Sequence, residues 1–175
     1  MDLSLLGIYL NDHLAGATAG VELARRTWRE NEDHPVGLCF IQLVPELADD
    51  RVQLRRVMAA LGVPEDGLKQ RAALVMERVG RLKLNGRLVR YSPLSRLHEL
   101  EALETATQGR LALWRLLQVL AGDDVRLRGF DFGARVERAR AQQAELERLR
   151  LLAAREAFLA ERSAEAPAEG GVPQA

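Results

Sequence analysis

The chain is poor in histidine, cysteine and aromatic residues. Its 175 residues include three His, one Cys and eight aromatic side chains. A single cysteine excludes a disulfide framework and any metal site built from several cysteines. A β-sandwich or barrel would need Val, Ile, Thr and aromatic residues in short alternating runs, and these are scarce. The scarcity of these residue types favours a helical fold.

The chain also has no net charge and no long apolar run. Its 25 basic and 25 acidic residues cancel, so the whole molecule has no field that would attract nucleic acid, and no nucleic-acid-binding motif is present. The longest apolar run, residues 36–45, is too short to span a bilayer. Residues 1–10 carry Asp2 where a signal peptide has its positive region. We therefore expect a cytoplasmic protein without membrane insertion.

Four residue types dominate the amino-acid composition of the chain. The 31 Leu, 25 Ala, 23 Arg and 16 Glu make up just over half of the chain, a usage typical of long helices. Apolar residues recur at steps of three and four, which predicts helices between Pro and Gly breakers. The predicted helices cover about residues 3–32, 36–61, 65–84, 92–121 and 132–162. Pro45 lies inside the second, where we expect a kink or a broken first turn.

Four of these helices have similar lengths, and the connections within the first pair and the last pair are short. The middle connection, residues 62–92, contains a short helix of its own and is long enough to cross the bundle. This pattern predicts an all-α, ferritin-like up-down-down-up four-helix bundle, with a plain up-down bundle of five helices as the alternative. We expect one domain over residues 1–162 and a disordered tail over 163–175, which lacks large apolar residues.

Two segments also resemble a known family. Residues 80–88 read GRLKLNGRL and are followed by YSPLSRL at 91–97 and ELE at 99–101, while residues 9–17 read YLNDHLAGA. These segments resemble a family of uncharacterised bacterial proteins with a ferritin-like helical fold. The resemblance covers about residues 5–158 and implies a fold, but it implies no activity.

A ferritin-like fold raises the question of a di-metal site. Such a site needs a Glu on each of two helices and a Glu-x-x-His pair on each of the other two, because carboxylates bridge the cations and imidazoles complete their coordination. The candidate ligands are His13, Glu46, Asp50, Glu101 and Glu104. His98 precedes Glu101 by three residues, which reverses the required order.

The last helix contains no His and is expected to turn Gln143, Leu146 and Leu149 inward. A complete di-iron site is therefore not expected, and two hypotheses remain. One is a reduced carboxylate/His site for iron or another divalent metal. The other, which we favour and which needs no cofactor, is a buried polar cluster in which His13 bonds Asp50 or Glu104 and Arg115 or another Arg pairs with a carboxylate.

Although the chain as a whole has no net charge, one segment of it is strongly basic. Residues 69–96 contain eight basic residues and one acidic residue, a net charge of +7. Six of them are candidates for binding an anion or an acidic protein partner: Lys69, Arg81, Lys83, Arg87, Arg90 and Arg96. The alternative, which we favour, is a solvated face that pairs with acidic residues of neighbouring helices.

A stripe of small residues on the first helix includes Gly16 and Gly20. It predicts close helix packing, or space for a ligand or a partner helix. The sequence shows no phosphate-binding loop and no nucleophile elbow. We therefore interpret the protein as a non-catalytic binding or interaction module, able to self-associate. The alternative is a metal-binding protein or redox enzyme that uses the reduced site.

Overall fold

The computed structural model describes residues 1–67 and 91–159. Within these ranges the chain forms four long α-helices and no strand, which confirms the predicted all-α class. The helices are α1 (Leu3–Arg29), α2 (Pro35–Leu61), α3 (Pro93–Asp123) and α4 (Phe132–Leu159), and a 3₁₀ turn, Val125–Leu127, precedes α4. At 27, 27, 31 and 28 residues, they are roughly 40–47 Å long. None of the helices in this part of the chain is both long enough and apolar enough to cross a membrane.

The helix ends follow local sequence signals. The carboxylate of Asp2 accepts hydrogen bonds from the first free amides of α1. Pro35 opens α2, where its missing N–H costs nothing. Gly62 ends α2 at a φ of +71°, a conformation that favours glycine. Helix α2 continues through Pro45, so of the two alternatives expected at this residue a broken turn is excluded.

The predicted start of α3 is confirmed. The Ser92 hydroxyl accepts from the Ser95 amide at 3.2 Å, and the Ser95 hydroxyl accepts from the Ser92 amide at 3.3 Å. This reciprocal pair satisfies two amides that the helix leaves free. Two boundaries differ from prediction, since α1 ends at Arg29 and α3 continues to Asp123.

Leucines fill two core clusters, one toward each end of the bundle. The first includes Leu10, Leu14, Trp114 and Leu117, and the second includes Phe40, Leu100, Leu146 and Leu149. Each fully buried side chain of this size contributes about 1.5–3 kcal/mol. Trp28 is 37% exposed, whereas its neighbour Thr27 is buried.

Contacts between helix ends define how the helices run. Near the end of α1, Arg26 and Thr27 contact the carboxylate of Glu99, which lies near the start of α3. Near the start of α1, Leu10 packs in the same cluster as Leu117, which lies near the end of α3. Helices α1 and α3 are therefore neighbours with opposite directions. The helix predicted at 65–84 lies outside the described residues from position 68 onward, as does the whole of the tail predicted at 163–175.

The turn between α1 and α2 packs tightly on the first turn of α2. A Cβ added at Gly37 would lie 2.6 Å from the carbonyl carbon of Asn31 and would overlap its oxygen. Asn31 itself is buried and is held by its side chain, which donates to the Thr27 carbonyl at 2.6 Å and to the Tyr91 hydroxyl at 2.7 Å. This turn therefore has little freedom to move.

Candidate functional site

A cleft between α1 and α3 reaches the centre of the bundle and has a volume of about 330 Å³. Its walls include five small residues, which are Gly16, Ala17 and Gly20 of α1 and Ala106 and Gly109 of α3. Its deeper surface includes side chains of the other two helices, which are Leu47, Asp50 and Leu54 of α2 and Leu146 of α4. All four helices thus contribute to this cleft.

The glycines on α1 leave space beside the helix. A Cβ added at Gly16 or Gly20 would meet no atom within 4 Å. At Gly109, on the opposite wall, an added Cβ would lie 4.0 Å from Cε1 of His13. The open space at Gly16 and Gly20 does not fit close helix packing, and it fits the other interpretation of the small-residue stripe, which is space for a ligand or a partner helix.

One part of the cleft is aromatic and polar. Tyr9, Asp12 and His13 line it, and the rings of Tyr9 and His13 have their centroids 4.4 Å apart. Burial lowers the pKa of His13 because it disfavours the charged imidazole, and the charge of Asp12 opposes this only in part. The hydrogen bonds of the described residues include none from His13 to Asp50 or Glu104, the partners that were expected.

The lowered pKa of His13 predicts a loss of stability in mild acid. As the pH falls through about 6.5, the unfolded chain takes up a proton at this residue before the folded chain does, which favours unfolding. Urea unfolding at about pH 7.5 and pH 5.5 measures this, and His13→Gln provides the control because the other titrating groups remain. We expect the variant to lose less stability than the parent over this interval. An equal loss in both proteins would show that His13 titrates normally.

A buried carboxylate lies beside three arginines at the deep side of the cleft. Asp50 is only 3% exposed. Its Oδ2 lies 3.2 Å from Nε of Arg110, and its Oδ1 accepts from Arg135 at 3.0 Å and from Arg138 at 2.5 Å. The hypothesis of a buried carboxylate paired with an arginine fits this arrangement, with Arg110 as a partner instead of Arg115.

A second chain of polar contacts continues from Arg110. Its guanidinium donates to Oε1 of Gln142 at 2.5 Å, and Nε2 of Gln142 donates to Glu46 at 2.6 Å. Gln142 is 6% exposed, so it, and not the expected Gln143, faces the core. The carboxylates of Glu46 and Asp50 are thus engaged by amide and guanidinium groups of the chain itself.

The remaining candidate metal ligands lie apart from this cluster. Glu104 pairs with Arg150 at 2.9 Å, and Glu101, which is exposed, lies 3.4 Å from a ring nitrogen of His98. Across residues 1–67 and 91–159, no group of three or more His, Cys, Asp or Glu side chains is placed to hold a metal ion. The structure does not bring the five predicted ligands together.

Three buried polar atoms of the cleft make no hydrogen bond to the described part of the chain: Asp50 Oδ2, Arg110 Nε and Trp114 Nε1. The first two face each other as an ion pair at 3.2 Å, so each compensates the charge of the other. The indole N–H of Trp114 has no such compensation, although the side chain is only 1% exposed. A buried donor without an acceptor costs about 1–3 kcal/mol.

Of the six basic candidates, only Arg96 lies in the described residues. Its Nη1 lies 2.6 Å from the carboxylate of Glu156, and its Nε donates to Oδ1 of Asn31 at 2.5 Å. This side chain therefore joins helices. The other five lie outside the described residues, and anion binding by them stays a prediction: Lys69, Arg81, Lys83, Arg87 and Arg90.

The sequence pattern did not identify Arg110 as a residue of the site. Arginine is almost never fully buried unless it is paired, so a buried arginine is expected only as the partner of a carboxylate, and Arg115 was the one named for that place. One signal was present, since Arg110 is three residues after Thr107 and four before Trp114, a spacing that places all three on one face of a helix. Its partner Asp50 was identified because it falls between Leu47 and Leu54 on α2.

No protein-family model, no curated protein and no solved structure matches the chain. The resemblance to a bacterial ferritin-like family stays a prediction. Function must therefore be inferred from the cleft and the residues that line it.

Proposed function

We propose that the protein is a non-catalytic, ferritin-like bundle that binds a small molecule in the cleft between α1 and α3. The observation that carries the proposal is the cleft itself, about 330 Å³ in volume and reaching the ion pair of Asp50 and Arg110. Binding sites for small molecules are mostly apolar clefts of roughly 300–1,000 Å³ with a few well-placed polar groups.

The directions of the helices support the ferritin-like part of the proposal. Helix α1 runs opposite to α3, as the contacts of Arg26 and Thr27 with Glu99 require. It also runs opposite to α2, to which it is joined by a short turn. Helices α2 and α3 then share one direction, which is consistent with the proposed up-down-down-up order. The residues of that crossover, 68–90, are not described.

The size of the cleft supports a small ligand. An engineered apolar cavity of roughly 150 Å³ accepts benzene, so a cleft of about twice that volume accommodates a molecule of roughly two rings. The polar groups at its deep side support binding over catalysis. Asp50 faces three guanidinium groups, so its charge is engaged by ion pairs within the chain itself.

Thermal unfolding with a panel of small neutral compounds tests this proposal. Camphor, 1-indanone and 2-decalone are suitable probes, and a compound at ten times its Kd should stabilise the protein by about 1.4 kcal/mol. For a chain of this size that is a rise in Tm of roughly 3–6 °C. In Gly20→Leu, a side chain replaces the open space beside α1, so the same compound should lose at least about tenfold in affinity.

Gly122→Leu is the matched control. Gly122 lies in α3 but outside the cleft, and an added Cβ there also meets nothing within 4 Å. Both variants replace a helical glycine by leucine, a change that favours the helix, so unfolding would not explain a loss of binding in Gly20→Leu. Equal effects of every probe on the parent and on Gly20→Leu would reject the proposal.

Metal analysis tests the remaining alternative for the site. We expect protein purified without chelators to contain well under one metal ion per chain, because Asp50 and Glu46 are already engaged by Arg110 and Gln142. Elemental analysis of the parent and of Glu104→Ala measures this. About one ion per chain in the parent, lost in Glu104→Ala, would support the reduced carboxylate/His site instead.

A further inference from the structure

We propose that two copies of the chain associate through the outer face of α2, in an antiparallel arrangement about a twofold axis near Pro45. This face lies on the side of α2 opposite the core, so the interface is separate from the proposed ligand site between α1 and α3. Two observations support it. One is an apolar stripe that faces outward, and the other is the placement of charges near the two ends of α2.

The outer stripe of α2 consists of five apolar residues: Leu38, Ile41, Pro45, Ala48 and Val52. Its three large aliphatic side chains are well exposed, at 64% for Leu38, 59% for Ile41 and 42% for Val52. Steps of three and four residues place side chains in one line along a helix, and their regular alternation is the spacing of helix contacts in coiled coils. At ~1.5 Å per residue, the stripe is about 21 Å long.

The outer stripe lies directly opposite the buried side of α2. Val36 and Leu54 are buried in the core, and each is nine residues from Pro45, which is about two and a half helical turns. Pro45 is exposed and therefore faces away from the core. A helix at the surface of a monomer has polar residues on that side, whereas a helix that is apolar on both sides is covered on both. This pattern favours a partner over the outer stripe.

Charges near the ends of α2 indicate that the partner is a second copy. Glu32 and Asp33 are exposed in the turn before α2, and Arg56 is exposed near its end. Asp33 lies twelve positions before Pro45 and Arg56 lies eleven after it. In an antiparallel pair centred at Pro45, each acidic turn therefore meets the partner's Arg56. A parallel pair would instead bring like charges together at both ends.

The apolar residues match in the same arrangement. Leu38 and Val52 lie seven positions before and after Pro45, so the antiparallel pair brings Leu38 of each copy to the partner's Val52. Between them, Pro45 and Ala48 have small side chains, which allow the two helices to approach closely. The apolar stripe and the charges thus share one centre of symmetry.

Sedimentation equilibrium of the full chain tests the interface. We expect the parent to form a dimer with a Kd of about 10 μM or tighter. Ile41→Glu places a charge in the outer stripe of both copies, so it should weaken the dimer at least about a hundredfold. Val119→Glu is the matched control, because Val119 is 70% exposed on α3, and it should leave the Kd unchanged. A parent that stays monomeric at about 100 μM, or equal Kd values for the two variants, would overturn the proposal.

Charge reversal at low ionic strength tests the antiparallel arrangement. Asp33→Arg and Arg56→Glu should each weaken self-association about fivefold, because each variant brings like charges together where two identical copies meet. An equal mixture of the two variants should associate as tightly as the parent, since every changed residue then lies opposite an unlike charge. A mixture that associates no more tightly than either variant alone would overturn the antiparallel arrangement.

Discussion

Asp50→Ala is expected to lower the free energy of unfolding by about 3–5 kcal/mol, because it leaves buried arginine charge without its partner. Arg110 is the residue most affected, since it is 13% exposed and its ion pair with Asp50 lies inside the bundle. Burial already lowers the pKa of Arg110, and the charge of Asp50 is the main influence that opposes this. Urea unfolding at neutral pH measures the loss.

Asp49 provides a matched control one position away. It is 48% exposed and pairs with two of the same residues, Arg135 and Arg138. Exposed ion pairs are worth about 0–1 kcal/mol, so Asp49→Ala should have an effect in that range. Equal losses from Asp49→Ala and Asp50→Ala would contradict a structural role for the buried pair.

The double variant Asp50→Leu with Arg110→Met separates two quantities. One is the net contribution of the ion pair to folding stability, and the other is the destabilisation that follows when only one member is removed. Replacing both members of a buried ion pair by apolar residues is often neutral or stabilising, whereas removing one is strongly destabilising. We therefore expect the double variant to recover most of the stability lost in Asp50→Ala. A double variant as unstable as the single one would mean that Asp50 is needed mainly by Arg135 and Arg138.

Gly37→Ala should destabilise the protein by at least about 2–3 kcal/mol. The added methyl group would overlap the carbonyl of Asn31, and the obstacle is backbone that is held in place by the hydrogen bonds of the Asn31 side chain. This overlap could be removed only if the turn between α1 and α2 moved. Thermal or urea unfolding measures the effect.

Replacing Gly20 by alanine should change the stability of the protein in the opposite direction. An added Cβ at Gly20 meets nothing within 4 Å, and alanine favours a helix interior by about 0.5–1 kcal/mol over glycine. Gly20→Ala should therefore be neutral or stabilising. If both alanine variants shifted stability in the same direction, the two glycines would not differ in the way that their surroundings indicate.

The helices could be predicted from the sequence because their signals are local. Leu10 and Leu14 repeat at the helical period, and Gly62 and Ser92 mark ends through their own backbone and side-chain chemistry. Positions on α4 were harder to predict. Its face rich in Arg and Glu gives a weak apolar pattern, so Gln143 was chosen where Gln142 faces the core.

The site was less predictable than the helices, since it depends on which side chains meet across helices. Asp50 was identified as inward-facing from its place on α2, but a pattern in one helix does not show that Arg110, Arg135 and Arg138 surround it. The glycines at 16 and 20 suggested both packing and open space. Only the distance between helices α1 and α3 separates these two interpretations.

The fluorescence of Trp114 gives the most direct test of the cleft as a ligand site. In a Trp28→Phe background it is the one tryptophan, and it lines the cleft. The account predicts that 2-decalone changes its emission with a saturable titration, and that adding Gly20→Leu weakens this titration by at least about tenfold. A signal that does not saturate, or that titrates identically with and without Gly20→Leu, would contradict it.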